Sequence, residues 1–380
     1  MTVLAGARIV TSDGVLEQGW VEVVDERILR VEPGLPPADR TDVVELAGGW
    51  LVPGFIDIHC HGGGGHDFTK SAEAMAAGVE FHLSHGTTRS VVSLMTAPID
   101  ALCEQLSWVK PLIQRGDKGR GRILGAHLEG PFLSHLRCGA QNPHHVAEAD
   151  RQLLAKLLEA GQGAVRHVTI APELPGALEL VRDLLEADVI AAVGHTDAEY
   201  AQAAAAFEAG ASHLTHAFNA MRAMNHRAPG PVPAAFDAGA TIELINDGVH
   251  VHDAVSRLLA RSAGSTMVFI TDAISATGVG DGSYELGDQA VVVRDGEARL
   301  PGTGHLAGST LTMDEAFRRA VVELGLSPQA AVEAASTTPA RVLGISDACG
   351  AIKPGLDADF VLLDEELRLR KVMLAGQWRR

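Results

Sequence analysis

Apolar positions along the chain follow a strand-like period at its two ends and a mixed period between them. Over residues 2 to 52 the stretches ARIVTSDG, WVEVVDERILRVEP and DVVELAGGWLVP alternate apolar and polar positions between turn residues, which predicts short strands of a small β layer. The C-terminal stretch AIKPGLDADFVLLDEELRLRKVMLAGQW has the same character, so residues 1–52 and 346–380 are expected to form one small β-sandwich built from both termini. From Pro53 onward, short apolar runs alternate with helical patterns such as DRQLLAKLLEAG and DAEYAQAAAAFEAG. Eight such runs are present: GFIDIHCH, RSVVSLMT, ILGAHLEG, HVTIAPE, VIAAVGHT, SHLTHAF, TIELIND and MVFITDA. Repeated βα units in that number predict an α/β fold with a (β/α)8 TIM-like barrel over residues 53–345. The segment SYELGDQAVVVRDGEARL predicts an inserted β-hairpin near 283–300 that overhangs the barrel mouth.

Reactive side chains cluster where these runs end. His59 and His61 close the first, Glu129 the third, His195 the fifth and His216 the sixth; Asp247 and His250 follow the seventh, and Asp272 closes the eighth. All would converge on the C-terminal rim, where barrels of this kind place their active sites. On a strand, residues two apart share a face, so both imidazoles of His59–Cys60–His61 can point inward at one ion while Cys60 points away and packs under a helix. With Glu129, His195 and His216 the set offers imidazoles and a carboxylate, the ligands that zinc and similar transition ions prefer. Asp272 ends an apolar strand and is expected both to contact the metal and to act as general base, taking a proton from activated water and returning it to a leaving amine. His82 and His85 read as ordinary cations near a helix end, and His213, three residues from His216, is expected to face the surrounding helices. His127 shares the face of Glu129 and is left without an assigned role.

Charge and composition narrow the partners. Asp and Glu outnumber Lys and Arg by 48 to 31, for a formal charge of −17, a field that repels nucleic acid and anionic membranes. No apolar run approaches the ~18 residues of a membrane span. Cys60, Cys103, Cys138 and Cys349 are scattered and lack CxxC spacing, and the first residues lack the pattern of a secretory signal, so a cytoplasmic enzyme with reduced thiols is expected.

PGFIDIHCHG and the terminal GxxxPGxDADFVLLD pattern, Gly350 to Asp364, together with HLEGPF, GHT, THAFNAM, DGVH, TDA and LAGS, span nearly the whole chain. In these motifs the chain resembles the amidohydrolase superfamily and, within it, the N-acetylglucosamine-6-phosphate deacetylases. The resemblance implies metal-dependent release of acetate from N-acetylglucosamine 6-phosphate, with glucosamine 6-phosphate as the other product. It implies that Glu129, His195 and His216 hold one divalent ion and that His59 and His61 complete a second site, with one or two ions per subunit, zinc first and iron, manganese or cobalt as alternatives. It assigns the phosphorylated amino sugar to Ala140 and Gln141 in CGAQNP, to Asn219 and Ala220, to Asp247 and His250, and to the loop Leu306, Ala307, Gly308 and Ser309. Arg227 matches an arginine that reaches a neighbouring subunit's site, which implies a homodimer. Gln141 departs from the family pattern, which has histidine there; glutamine exchanges hydrogen bonds but carries no charge.

Rival readings are a deacetylase for another N-acetylhexosamine 6-phosphate, another hydrolase or deaminase of the superfamily, and a scaffold that has lost its chemistry. Hydantoinase-type relatives bridge two metals with a carbamylated lysine on a barrel strand. Between Lys118 and Lys353 the sole lysine here is Lys156, within a helical pattern. A scaffold would need no stoichiometric ion.

Overall fold

The computed structural model describes residues 1–115 and 121–379; Lys118 and Arg380 lie outside the described residues. Eight parallel strands form the central sheet in sequence order: β1 (Phe55–Cys60), β2 (Thr87–Met95), β3 (Arg122–Glu129), β4 (Val165–Ile170), β5 (Ile190–Val193), β6 (His213–Leu214), β7 (Thr241–Ile245) and β8 (Met267–Ile270). Each expected run overlaps one of them, and β2, β3 and β4 begin one or two residues before theirs. The strands are buried along most of their length, as near-continuous apolar runs must be when helices cover one face of a closed sheet and packed side chains fill the other.

The barrel closes between its first and last strands, β1 and β8. Beyond the paired ladders, the Asp272 N–H donates to the His59 carbonyl (2.9 Å) and the His61 N–H to the Ala273 carbonyl (2.8 Å). The seam between β1 and β8 is therefore stitched at the mouth by the residues singled out for chemistry. Between strands run amphipathic helices such as Arg151–Gly161, whose N-terminus is capped by the Asp150 carboxylate accepting from the backbone of Gln152 and Leu153.

Outside the barrel, one six-stranded sheet takes strands from both ends of the chain: Arg8–Thr11, Gly14–Leu16 and Trp50–Pro53 pair with Phe360–Leu363, Leu369–Leu374 and Gln377–Arg379. A four-stranded sheet from residues 2–45 lies beside it, and the two share a core of Leu4, Ile9, Val21, Ile28, Leu51, Phe360 and Met373. The aspartates of the DADF motif tie this part to the foot of the barrel. Buried Arg89 on β2 bonds to both Asp357 and Asp359, and Arg122 on β3 reaches Asp357 at 2.5 Å.

The insertion after β8 differs from the expected hairpin. It has three antiparallel strands, Gly282–Leu286, Gln289–Arg294 and Glu297–Arg299, because Asp295 (φ 52°) and Gly296 (φ 78°) make a second tight turn that sends the chain back along the middle strand.

Candidate active site

Glu129 is the last residue of β3 and His59 lies within β1, while His195, His216 and Asp272 each come two residues after their strands end. These three have left-handed backbones, with φ of 44°, 25° and 48°. Such conformations are sparsely populated for non-glycine residues and persist where the surroundings enforce them. The kink turns each side chain toward the barrel axis. Gly308 (φ 62°) packs against this region so closely that a Cβ would meet the Asp272 carbonyl at 2.8 Å.

The side chains meet in two triads that share Glu129: His59, His61 and Glu129, and Glu129, His195 and His216. His195 Nε2 and His216 Nε2 each lie 3.0 Å from Glu129 Oε1 and 3.0 Å from one another. His61 Nε2 is 3.3 Å from Glu129 Oε2 and 3.2 Å from Asp272 Oδ1, and His59 Nε2 is 3.4 Å from Glu129 Oε1. His195 Nδ1–H donates to the Arg137 carbonyl (2.9 Å), which leaves Nε2 as a bare lone pair aimed into the cluster. His59 is fixed in the same way by its Nδ1–H donating to Glu243 Oε2 at 3.0 Å. Lone pairs facing one another at this distance need a cation between them. A tetrahedral ion with ligand bonds of about 2.0–2.1 Å would set its ligands about 3.3 Å apart, so the donor set fits a divalent metal.

Electrostatics point the same way. Glu129, Asp272 and Glu243 bring three carboxylates into a buried space. Burial opposes a charged His59, yet Glu243, Glu129 and Asp272 hold its imidazole well above the ordinary value; burial likewise opposes charge on His61, which Asp272 and Glu129 push up to about 9. Burial would raise the Asp272 carboxyl, but His59 and His61 keep it below the usual range, so it is ionised and able to accept a proton. Without a metal, protons on these imidazoles balance the carboxylates; a divalent ion would displace them.

The cluster floors a cleft of about 470 Å³. Of the residues expected to meet substrate, Ala140, Gln141, Asn219, Ala220, His250, Leu306 and Gly308 line it. Asp247 stands behind His250, accepting from its Nδ1–H at 2.6 Å. Ala307 is packed in the core, and the Ser309 hydroxyl donates to the Thr271 carbonyl. Arg227 does not line the cleft; it sits on an exposed segment with its guanidinium against His226. Gln141 is buried, donating through Nε2 to Glu129 Oε2 (2.5 Å) and accepting from the Thr96 N–H (2.8 Å), so the glutamine touches the shared carboxylate as well as the cleft.

Two histidine readings are corrected. His213 faces into the barrel, 2.9 Å from Glu243 Oε1, because β6 ends at Leu214 and the kink at His216 breaks the alternation that the residue count relied on. His82 is a buried neutral ring: burial pulls its pKa down to about 4, and Nε2–H donates to the Gly62 carbonyl at 2.8 Å. Cys60 lies beneath the helix Ala72–Leu83, 3.3 Å from that same ring. His127 sits between hydroxyls, 3.0 Å from Ser93 Oγ and 2.8 Å from Thr169 Oγ1. Glu243 and Arg137 escaped the reading of the sequence. Glu243 carried a usable signal, since an acid inside the apolar run TIELI must find partners on burial.

A barrel whose rim gathers carboxylates and histidines around a cleft defines a hydrolase-type site able to hold divalent metal. The amidohydrolase family model matches residues 50–379, and the chain belongs to that family. It is 36% identical over 377 residues to an N-acetylgalactosamine-6-phosphate deacetylase of Escherichia coli O157:H7, covering 99% of this chain and 98% of the relative. It is 36% identical over 376 residues to an N-acetylglucosamine-6-phosphate deacetylase of Bacillus subtilis strain 168, covering 97% and 94%. Among solved structures, a point mutant of the Mycobacterium smegmatis N-acetyl-D-glucosamine-6-phosphate deacetylase, in complex with N-acetyl-D-glucosamine-6-phosphate, superposes with a TM-score of 0.94 at 42% identity, over 99% of this chain and 98% of that one.

Proposed function

We propose that this protein hydrolyses the N-acetyl group of N-acetylglucosamine 6-phosphate, giving acetate and glucosamine 6-phosphate in amino-sugar catabolism and cell-wall recycling. The observation that carries this reading is the Asp272 carboxylate at the floor of the cleft, 3.2 Å from His61 and next to the shared metal-binding cluster. Glu129, His195 and His216 would hold one divalent ion; His59 and His61, with Glu129 and Asp272, would hold a second. Zinc is the first choice, and iron, manganese or cobalt suit the same donors. When bound, such an ion lowers the pKa of water toward ~7 and polarises a carbonyl oxygen.

Asp272 takes the proton from the attacking water as the C–O bond forms at the acetamide carbon, then delivers it to the nitrogen as the C–N bond breaks. Water and amide are thus converted to acetate and amine with no other reactant. His250, oriented by Asp247, presents its ring to the sugar, and Ala140, Gln141 and the Leu306–Ser309 loop border the pocket. Asn219 and Ala220 receive the phosphate, completed by Arg227 from a second copy in a homodimer; the outward placement of Arg227 supports this. Arg227→Ala should chiefly raise KM for the phosphorylated substrate, and an equal loss on an unphosphorylated analogue would remove it from phosphate binding. Free cysteines suit a cytoplasmic setting.

The relatives act on two sugar epimers, and Gln141 stands where the family has histidine. Acetate release should therefore be measured on the N-acetylglucosamine, N-acetylgalactosamine and N-acetylmannosamine 6-phosphates, before and after chelation and metal add-back. Metal-restored turnover fastest on the glucosamine compound is the expected result. Turnover fastest on the galactosamine compound would reassign the substrate, and silence on all three would overturn the deacetylase reading.

A further inference from the structure

Beneath the two triads the barrel interior holds a carboxylate that the hydrolysis does not use. Glu243, in the middle of β7, is fully buried. Its Oε2 accepts from His59 Nδ1–H at 3.0 Å and from the backbone N–H of His216 at 2.9 Å, and its Oε1 lies 2.9 Å from His213 Nε2. Its own backbone carbonyl accepts from the Ala217 N–H at 2.9 Å. One carboxylate thus grips the ring of a histidine in the first triad and the left-handed turn that presents a histidine in the second.

We propose that Glu243 is a positioning residue that couples the two halves of the metal-binding set; this rests on the metal-dependent reading above. Three physical consequences follow from its contacts. Accepting from His59 Nδ1–H fixes the tautomer and makes Nε2 a stronger donor, as carboxylates behind metal-binding histidines do. Accepting from the His216 N–H holds a backbone conformation that a non-glycine residue rarely adopts alone. His213 pins the other oxygen, so the carboxylate cannot turn to favour one triad over the other. Among the described residues, no other residue outside the triads hydrogen-bonds to a histidine of each.

Glu243→Gln preserves volume, but its amide nitrogen cannot accept, so at least one of the three donors loses its partner and the negative charge behind His59 disappears. Full-length protein stripped with chelator would be titrated with zinc against a chromophoric competitor and, separately, with cobalt while its visible absorption is followed. Wild type should take up metal tightly; Glu243→Gln should bind zinc about 10- to 100-fold more weakly, with an altered cobalt spectrum and a circular dichroism spectrum like that of wild type. His213→Gln, which disturbs only the Oε1 anchor, should weaken zinc binding in the same direction by less, and it carries the test if Glu243→Gln does not fold. A folded Glu243→Gln with wild-type zinc affinity and cobalt spectrum overturns the coupling role, as does wild-type behaviour of His213→Gln where Glu243→Gln fails to fold. A wild-type protein that takes up no metal overturns the proposed function instead.

Discussion

Two sets of buried histidines occupy this molecule, and they differ in what faces them rather than in how buried they are. His59, His61, His195 and His216 gather at the barrel mouth against Glu129 and Asp272. His127 and His167 lie deeper in the barrel and His82 lies under the first helix, where their neighbours are hydroxyls, a carbonyl and other rings. Burial and the nearby His167 ring depress His127 well below its ordinary value, and burial takes His167 down to about 3, whereas carboxylates raise His59 and His61. His59 and His61 are built to carry positive charge and the whole first set is placed around a site for a cation, whereas the second set is built to stay neutral. Histidine content is therefore uninformative here until the partner of each ring is known.

The sharpest way to test the first set is through the carboxylate that completes it. Asp272→Asn keeps the size of the side chain and removes its ability to accept a proton. The variant should lose about 10²- to 10⁴-fold in kcat while elemental analysis still finds the ion held by Glu129, His195 and His216, a triad that does not include Asp272. Substantial residual turnover would take the proton-transfer role away from Asp272.

Next in size is a contrast between one histidine of each set. His195→Ala removes a lone pair aimed at the cluster and should weaken metal binding by more than the ~10- to 100-fold typical of losing an outer partner. His167→Gln should leave metal content unchanged and cost about 1–3 kcal/mol in unfolding free energy, as disturbance of a packed interior does. Equal metal loss in both variants would erase the distinction between the sets.

Much of this was legible beforehand because periodicity reports which residues share a face. The eight barrel strands follow from eight short apolar runs, and the candidate site residues at the rim from His, Glu or Asp at or just beyond the ends of six of them. What escaped depends on where regular structure stops. The parity count that sent His213 toward the helices assumed a strand continuing to His216, whereas β6 ends at Leu214 and the backbone kinks. Glu243 escaped because its partners come from other strands: His213 from the neighbouring β6, and His59 from β1, which only closure of the barrel brings within 3.0 Å. A place near a helix end suggests an ordinary cation at His82, but that end packs onto the glycine-rich turn after β1, where the Gly62 carbonyl accepts from the ring N–H.

The smallest effect expected concerns the neutral set and acid stability. The pKa of His82 is about 4 in the folded chain against 6.5 when free, so between those values the unfolded state binds a proton that the folded state does not. Stability is therefore lost as pH falls through 6.5 and levels off below about 4. Buried Asp57, whose carboxyl is raised to about 6 by desolvation, works in the opposite direction: it favours the folded state as pH falls. Comparing wild type with His82→Gln at each pH cancels that shared contribution. The glutamine amide can still donate to the Gly62 carbonyl but does not titrate, so the penalty of the variant in urea unfolding should be about 2 kcal/mol smaller at pH 5 than at pH 7.5. A penalty unchanged between the two pH values would mean that the buried ring is protonated as readily in the folded chain as in the unfolded one, and the division between cation-bearing and neutral histidines would not extend beyond the barrel.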